Sequence, residues 1–333
     1  MNHTVDITVQ IALYNSEKYI KQTIESLLNQ TFENFEILII NDASTDNSIN
    51  VVNSINDDRI RLIHNDTNKG ICLTRQRGIE EAKGKYIAIL DSDDLAMPMR
   101  LEKQFLFLEN NPEIVLCGSN AKFIDENDNE IAHTHTLNCD PDLIKIVLLF
   151  ANQFINSSVL CRKDVMLEVG GYKKPIAEDY DLFVRIAEKY KTTNLDEKLV
   201  SYRMHSGSDS RTKKDLYAIA EKEILAYQYK NLSIDKALEY IPYLLFHKNN
   251  NGINKKDIFP FFNDIIKQNS NLKIYDKTLF ENIFFKIWIE LILHHKNFQE
   301  AWKLFLHPVF KFSNLNATEK RRIIKLLLNP LKI

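Results

Sequence analysis

The sequence predicts an α/β fold, with a mostly parallel sheet in residues 1–212 and a helical region in residues 213–333. Strand and helix patterns alternate over the first 95 residues, and strands that alternate with helices of this length are typical of βαβ units with parallel strands. Seven of the eight glycines lie at or before Gly207, and from Leu216 onward hydrophobic residues recur at helical spacing. We therefore expect two domains, with a boundary between residues 212 and 213.

The individual elements follow from hydrophobic periodicity along the chain. The alternating region has strands predicted at Ile7–Leu13, Phe35–Ile40, Arg59–His64 and Tyr86–Leu90, and helices at Tyr19–Gln30, Asp46–Ile55 and Ile71–Lys83. The pattern then loosens and predicts helices at Pro98–Asn110 and Asp179–Lys189, strands at Ile114–Ile124 and Leu199–Met204, and an edge strand at Ile131–His135. Because the first four strands are expected to be parallel, their carboxyl ends lie at one edge, where open α/β sheets bind ligands.

Composition excludes several classes of protein. The 333-residue chain is 44% hydrophobic and 26% charged, as in ordinary globular proteins, and its formal net charge of −2 gives no reason to expect a nucleic-acid partner. The four cysteines are scattered without a CxxC pair, which favours reduced thiols over a disulfide framework or a zinc site. The chain has no signal-peptide pattern and no apolar run of roughly 18 residues, so we expect a cytoplasmic protein without a membrane-spanning helix.

Three aspartates follow the apolar strand Tyr86–Leu90: Asp91, Asp93 and Asp94. Like charges this close repel one another, so the arrangement is costly unless a cation holds them. Mg²⁺ and Mn²⁺ prefer oxygen ligands and often bind one or two protein carboxylates together with substrate phosphates. The three residues therefore indicate a metal–diphosphate site. Considered alone, they are explained equally well as a solvated acidic turn after a strand.

Four further clusters of polar residues lie at the ends of predicted elements. They are Leu13-Tyr14-Asn15, Asn41–Asp46, Ala177–Asp181 and Tyr202–Ser208. Together with Asn68–Gly70, Arg75–Ile79 and Asp91–Asp94, these motifs resemble, in their order, the inverting family 2 glycosyltransferases over residues 5–211. The resemblance implies a GT-A fold, the Rossmann-like and mostly parallel sheet of nucleotide-diphospho-sugar transferases. One departure is Ala12, where the family commonly has proline.

The resemblance also implies which residues bind the nucleotide sugar. Tyr14 would stack on the base and Asp42 would accept a hydrogen bond from its imide edge, and an aromatic face with a carboxylate suits uracil. Arg75 would lie near the nucleotide and its phosphates, with Asp91 near the ribose and Ser92 beside it in the DXD motif. Taken singly, Tyr14 is also explained as a packing residue and Asp42 as a helix cap or turn residue.

A metal site and a catalytic base are implied in the same way. Asp93 matches the aspartate that contacts a Mn²⁺ or Mg²⁺ ion bridging the donor diphosphate, and His205 matches a histidine near the same ion. Arg203, on the same segment, would bind phosphate or order the loop. Asp179 matches the catalytic base, which takes the proton of an acceptor hydroxyl. Without this context, a lone histidine at a strand end is more often a solvated surface group.

The implied function is metal-dependent, inverting transfer of a sugar from a UDP-linked donor to a glycan or lipid-linked acceptor in cell-surface polysaccharide or lipopolysaccharide synthesis. Two alternatives stay open. One is a sugar nucleotidylyltransferase, although no glycine-rich phosphate loop follows the first strand. The other is a catalytically inactive binding protein of the same fold. The basic segment 317–333 predicts an amphipathic helix that faces an anionic membrane or the protein itself, through Ile323, Ile324, Leu327, Leu328 and Leu331.

Overall fold

The computed structural model describes residues 5–132, 137–207, 212–234, 239–241, 258–295, 298–308, 310, 312–315 and 317–328. The chain forms two compact units, one of Met1–Lys145 with Asn152–Ala220 and the other of Ile146–Ala151 with Glu221–Ile333. The domain boundary expected between residues 212 and 213 stays a prediction, because compactness alone does not show which part of a chain folds independently.

The first unit contains an eight-stranded sheet. Its strands are β1 (Ile7–Leu13), β2 (Phe35–Asn41), β3 (Ile60–His64), β4 (Tyr86–Ile89), β5 (Leu95–Ala96), β6 (Ile114–Ile124), β7 (Leu160–Arg162) and β8 (Lys191–Arg203), in the order β3-β2-β1-β4-β7-β6-β8-β5. Strands β1 to β4 are parallel, β6 is parallel to β8, and β7 is antiparallel to both β4 and β6. Strands β1, β2, β3, β4, β6 and β8 therefore all end at one edge of the sheet, the carboxyl edge.

Helices connect these strands and cover the sheet. They are α1 (Ile20–Leu28), α2 (Ser48–Asn53), α3 (Ile71–Glu81), α4 (Arg100–Asn110), α5 (Pro141–Val147), α6 (Lys163–Glu168) and α7 (Glu178–Lys189). The core contains alternate residues of β1, from Ile7 to Leu13, together with Ile20, Ile24 and Leu27 of α1. Both faces of β1 and β2 are buried, as in parallel sheets that have helices on both sides.

The predicted α/β fold with a mostly parallel sheet and a helical C-terminal region is confirmed. Strands β1 to β4 and helices α1 to α4 begin and end within two residues of their predicted positions. Four short elements, β5, β7, α5 and α6, were not predicted, and β8 begins at Lys191 rather than Leu199. The predicted edge strand is wrong for residues 131 and 132, which form no strand, while residues 133–136 lie outside the described residues.

The second unit is helical in its described residues. Its helices are α8 (Lys214–Asn231), which starts within the first unit, α9 (Phe259–Leu272), α10 (Lys277–His295), α11 (Phe298–Phe305) and α12 (Ala317–Leu328). Aromatic rings form its core: Phe262 stacks on Trp288 with 5.3 Å between ring centroids, and Phe280 stacks on Phe284 at 4.3 Å. Among the described residues, no helix combines the length and the apolar character that a membrane crossing requires.

The predicted C-terminal helix is present as α12. Ile324 is 42% exposed, whereas Leu331 and the side chains of Ile323, Leu327 and Leu328 lie outside the described part of the chain. Whether the apolar residues of this helix face a membrane or the protein therefore stays a prediction.

Candidate active site

A cavity of about 680 Å³ opens at the carboxyl edge of the sheet. Residues at the ends of β1, β2, β4, β6 and β8 and at the starts of α3 and α7 line it. Every site residue predicted from the sequence contributes to its walls: Tyr14, Asp42, Arg75, Asp91, Ser92, Asp93, Asp179 and His205. Its volume falls within the range of about 300–1,000 Å³ that is typical of small-molecule and cofactor sites.

The loops after β1 and β2 hold Tyr14 at the cavity wall. Asn15 has a left-handed backbone with φ +48°, and its N–H donates to Ser44 Oγ at 3.1 Å. The N–H of Thr45 donates in turn to Asn15 Oδ1 at 2.8 Å. These bonds tie the two loops together and leave Tyr14 49% exposed. Such exposure does not fit a core packing residue, and it suits an aromatic ring that stacks on a planar ligand.

Asp42 organises the loop that leads into α3. The residue is 3% exposed, and its carboxylate accepts hydrogen bonds from Asn65 Nδ2 at 2.7 Å, from the N–H of Lys69 at 2.8 Å and from the N–H of Gly70 at 2.9 Å. A carboxylate has about four acceptor sites, so these three bonds leave one for a ligand. Asp42 is therefore a loop-organising residue at the cavity wall that can still accept one hydrogen bond.

Arg75 joins the acidic turn after β4 to the start of α7. Its Nη2 donates to Asp91 Oδ1 at 2.5 Å and its Nη1 to Glu178 Oε1. Burial lowers the pKa of Arg75 and the two carboxylates raise it, with a net shift well above the usual value. The backbone of α3 is held by Gln10 Nε2, which donates to the carbonyl of Arg75 at 2.6 Å. Gly78 permits this approach, since a Cβ there would lie 2.2 Å from the Gln10 side chain.

Two acidic residues open α7, beside Arg75. Glu178 is 2% exposed, and burial raises its pKa to about 7 although Arg75 lowers it. Burial also raises the pKa of Asp179, again against Arg75. Asn152 Nδ2 donates to Asp179 Oδ2 at 3.1 Å and so orients this carboxylate. The sequence motifs assigned no role to Glu178 or Asn152. The adjacent acidic residues Glu178 and Asp179 were a pattern that pointed to Glu178, whereas no sequence pattern marked Asn152.

Asp93 and His205 form a pair at the cavity wall. His205 Nε2 lies 2.8 Å from Asp93 Oδ2, and their side chains are 17% and 27% exposed, respectively. The turn that carries Asp93 is anchored to α1 and the loop before it. Thr23 Oγ1 donates to the carbonyl of Ser92 at 3.0 Å, and the hydroxyls of Ser92 and Ser16 lie 2.6 Å apart. The turn that carries Asp93 is therefore held in place, and both members of the pair line the cavity.

Arg203 lies in a buried cluster beneath this pair. It is 2% exposed. Its Nε donates to the carbonyl of Asp93 at 2.8 Å, and its Nη1 donates to Asp128 Oδ1 at 2.6 Å. Its guanidinium also lies 4.7 Å from the ring centroid of Tyr19. Its N–H donates to Asp94 Oδ1 at 2.7 Å. These contacts fit the loop-ordering alternative for Arg203, while phosphate binding by Arg203, which also lines the cavity, stays a prediction. Ser208, the last residue of the motif, lies outside the described residues.

Replacing Arg203 with methionine is expected to lower the free energy of unfolding by about 1.5–3 kcal/mol, because hydrogen bonds to a buried charged group are lost. Urea unfolding of the Arg203→Met variant measures this. Arg59→Met is the matched control: Arg59 pairs with Asp57 with its side chain 31% exposed, and such pairs contribute at most about 1 kcal/mol. Equal losses in the two variants would contradict the role of the Arg203 cluster.

These features define an α/β protein with an acidic ligand site at the carboxyl edge of its sheet. The family model for glycosyl transferase family 2 matches residues 8–169. An uncharacterized glycosyltransferase of Haemophilus influenzae is 32% identical over 245 residues, which cover 69% of this chain and 76% of that protein. The Escherichia coli UDP-Glc:alpha-D-GlcNAc-diphosphoundecaprenol beta-1,3-glucosyltransferase WfaP is 34% identical over 211 residues, with 62% and 80% covered. The chain therefore belongs to glycosyl transferase family 2 and is a glycosyltransferase.

A solved structure supports the same fold. The crystal structure of S. aureus TarS 1-349 in complex with UDP-GlcNAc superimposes with a TM-score of 0.61 and covers 98% of this chain and 91% of that one. Sequence identity is 15%, so this likeness bears on the fold alone. Together with family membership, it confirms the predicted GT-A fold.

Proposed function

We propose that this chain is a metal-dependent, inverting glycosyltransferase that transfers a sugar from UDP to a hydroxyl group of a saccharide acceptor. One observation carries the proposal. A single cavity contains Asp179, a carboxylate oriented by Asn152, and the Asp93–His205 pair, with Arg75 next to the acidic turn. This arrangement suits a base for the acceptor hydroxyl and a binding site for a metal-bound diphosphate.

The residues present fit a divalent cation. In the described part of the chain, no group of three or more His, Cys, Asp or Glu side chains is arranged to hold a metal ion. Asp93 and His205 would supply one oxygen and one nitrogen ligand, and a hard ion that also binds substrate phosphates and water needs few protein ligands. When bound, Mn²⁺ or Mg²⁺ would neutralise the negative charge that develops on the departing diphosphate.

The protein side chains would then carry the acid–base chemistry of a single displacement. The acceptor oxygen forms a bond to the anomeric carbon while the bond from that carbon to the diphosphate oxygen breaks, and the electron pair of that bond leaves with UDP. Asp179 takes the proton of the acceptor hydroxyl, and Asn152 holds Asp179 in place. Attack opposite to the leaving group inverts the anomeric centre.

When the pH is lowered, activity is expected to be lost at a higher pH than it would be with an ordinary aspartate base, whose pKa is about 3.9. Asp179 acts as a base only when it is ionised, and burial raises its pKa, so its protonated and inactive form persists to higher pH. The measurement is kcat/KM against pH, read as the apparent pKa of the Asp179–Glu178 pair, because neighbouring carboxyls titrate together. An acid limb centred at or below pH ~3.9 would contradict this assignment.

UDP is the proposed nucleotide. Tyr14 is exposed at the cavity wall, and Asp42 keeps one acceptor site, which together suit the ring and the imide N–H of uracil. The name of one similar protein supports this choice, since WfaP is a UDP-Glc transferase. On this proposal Ser92 lies with Asp91 in the donor site.

The acceptor would bind at the β6–β8 end of the cavity. The sheet order separates this end from β1 and β2, and aromatic residues line it: Phe123, Phe154, Tyr202 and Tyr217. Phe123 and Tyr202 meet edge to face with 5.6 Å between ring centroids. Aromatic faces suit the apolar faces of sugar rings. WfaP acts on a diphosphoundecaprenol-linked sugar, which supports a lipid-linked glycan acceptor in polysaccharide synthesis for this chain as well.

A lipid-linked acceptor would place the enzyme at the cytoplasmic face of a membrane. Helix α12 supports this location, because Arg321 and Arg322 are exposed beside Ile324 and would attract anionic lipid. Removal of residues 313–333 is then expected to weaken binding to vesicles that contain phosphatidylglycerol. Unchanged vesicle binding would remove the membrane role of this segment.

A donor panel tests the proposed function. The melting temperature would be measured with UDP, UDP-glucose, UDP-galactose, their N-acetylamino forms and a GDP-sugar, each with and without Mn²⁺. We expect stabilisation by UDP and at least one UDP-sugar only when Mn²⁺ is present, because ligands that bind the folded state stabilise it. No response to any nucleotide would contradict the proposal.

A further inference from the structure

Three buried side-chain oxygen atoms at the wall of the cavity have no hydrogen-bond partner among the described residues: Asp94 Oδ2, Asn156 Oδ1 and Glu178 Oε2. The last two belong to one network around Asp91. Asn156 is 9% exposed and Glu178 is 2% exposed. Buried acceptors are almost always paired, and leaving one unpaired costs free energy. In a ligand site, such atoms are positions at which a bound molecule is expected to donate a hydrogen bond.

The orientation of the Asn156 amide is determined by Asp91. Asn156 Nδ2 lies 3.2 Å from Asp91 Oδ1 and 3.4 Å from Asp91 Oδ2. An ionised carboxylate accepts hydrogen bonds and cannot donate them, so the amide must turn its NH₂ group towards Asp91. Asn156 Oδ1 is therefore the atom left without a partner, and rotating the amide would place two acceptors against each other.

Glu178 is oriented by Arg75 in a corresponding way. Arg75 donates to Glu178 Oε1 through one nitrogen and to Asp91 through the other. One guanidinium thus holds Glu178 and Asp91, and Asp91 in turn holds Asn156. The two unpaired oxygens belong to this one network, and Glu178 immediately precedes Asp179, the proposed base.

We propose that Asn156 and Glu178 accept hydrogen bonds from hydroxyl groups of the transferred sugar and thereby select the donor. This inference rests on the proposed function. The phosphates of an ionised nucleotide sugar carry no hydrogen-bond donors, and the base and ribose are assigned to Tyr14, Asp42 and Asp91. The sugar next to the proposed base is the remaining part of the donor with hydroxyl groups. A site that pairs buried acceptors with substrate hydroxyls strongly rejects analogues that lack them.

The test compares UDP with UDP-hexoses, because UDP contains the base, the ribose and the phosphates but not the transferred sugar. Dissociation constants for UDP, UDP-glucose, UDP-galactose and UDP-N-acetylglucosamine would be measured by calorimetry with Mn²⁺. The variants are Glu178→Gln, which replaces one acceptor by a donor, and Asn156→Leu, which keeps the branched shape of the side chain but removes the polar atoms. Glu36→Gln is the matched control, because Glu36 is buried at 6% exposure, pairs with Arg61 and does not line the cavity.

We expect each variant to weaken binding of the preferred UDP-hexose by about 10- to 100-fold, as the loss of a hydrogen bond to a charged or buried group does. Binding of UDP should weaken by a clearly smaller factor, because Arg75 and Asp91 each lose at most one partner. Glu36→Gln should change neither. A UDP-hexose analogue that lacks the recognised hydroxyl should bind the wild type and the matching variant equally, because the interaction is already lost.

Three results would overturn the inference. The first is that both variants weaken UDP and UDP-hexose binding by the same factor, and the second is that neither variant changes UDP-hexose binding. The third is that the wild type binds UDP but none of the three UDP-hexoses. Failure of the wild type to bind any nucleotide would instead overturn the proposed function, and this inference with it.

Discussion

Replacing Asp179 with asparagine is expected to lower kcat by about 10²- to 10⁴-fold and to leave UDP-sugar binding intact. The amide cannot take the proton of the acceptor hydroxyl, and loss of a general base costs turnover of this size. Asparagine keeps the shape of the side chain, and its amide oxygen can still accept the hydrogen bond from Asn152. Measuring kcat and the donor dissociation constant on the same preparation separates chemistry from binding.

Asp181→Asn is the control for this experiment. Asp181 lies two residues further along α7 and pairs with Arg185 at 2.7 Å, so its substitution removes a carboxylate from the same helical turn without touching the proposed base. We expect it to retain turnover. If Asp179→Asn kept wild-type kcat, another group would have to be the base. If both variants lost activity equally, the effect would belong to the helix and not to the carboxylate.

Replacing Asp93 with alanine is expected to have the second large effect, on the Mn²⁺ concentration that UDP binding requires. Because Asp93 is one of only two proposed protein ligands, its loss is expected to raise the Mn²⁺ concentration for half-maximal UDP binding by at least about tenfold. Mn²⁺ titrations at a fixed UDP concentration measure this directly, without requiring the acceptor. The matched control is Asp57→Ala, which removes an aspartate that pairs with Arg59 and does not line the cavity. A Mn²⁺ requirement that is the same in both variants would exclude Asp93 as a metal ligand.

The first four strands and helices were predictable because each carries a strong periodic pattern. Strands such as β2 are buried on both faces and read as continuous apolar runs, and α1 has a clear apolar stripe. Strands β5 and β7 have two and three residues, too few to show any period. The antiparallel insertion of β7 between β4 and β6 depends on long-range pairing, which local patterns do not encode.

The candidate site likewise contains residues that the sequence predicted and residues that it did not. Residues within motifs, such as Asp93 and His205, could be predicted to share one site because each lies in a short, recognisable segment, and both line the cavity. Asn152 and Asn156 were missed because they lie in a stretch without a motif, and only the fold brings them to Asp179 and Asp91. Buried partners of this kind are specified by geometry, since a carboxylate can be oriented by any donor that reaches it.

The most direct test of the central claim is UDP release from the donor selected by the panel, measured with a lipid-linked or free saccharide acceptor before and after metal removal. We expect turnover in Mn²⁺, its loss in excess EDTA and its return when Mn²⁺ is restored, with Asp179→Asn inactive throughout. Turnover that persists in EDTA would contradict metal-dependent transfer. Turnover that persists in Asp179→Asn would contradict the assignment of the cavity at the carboxyl edge as the catalytic site.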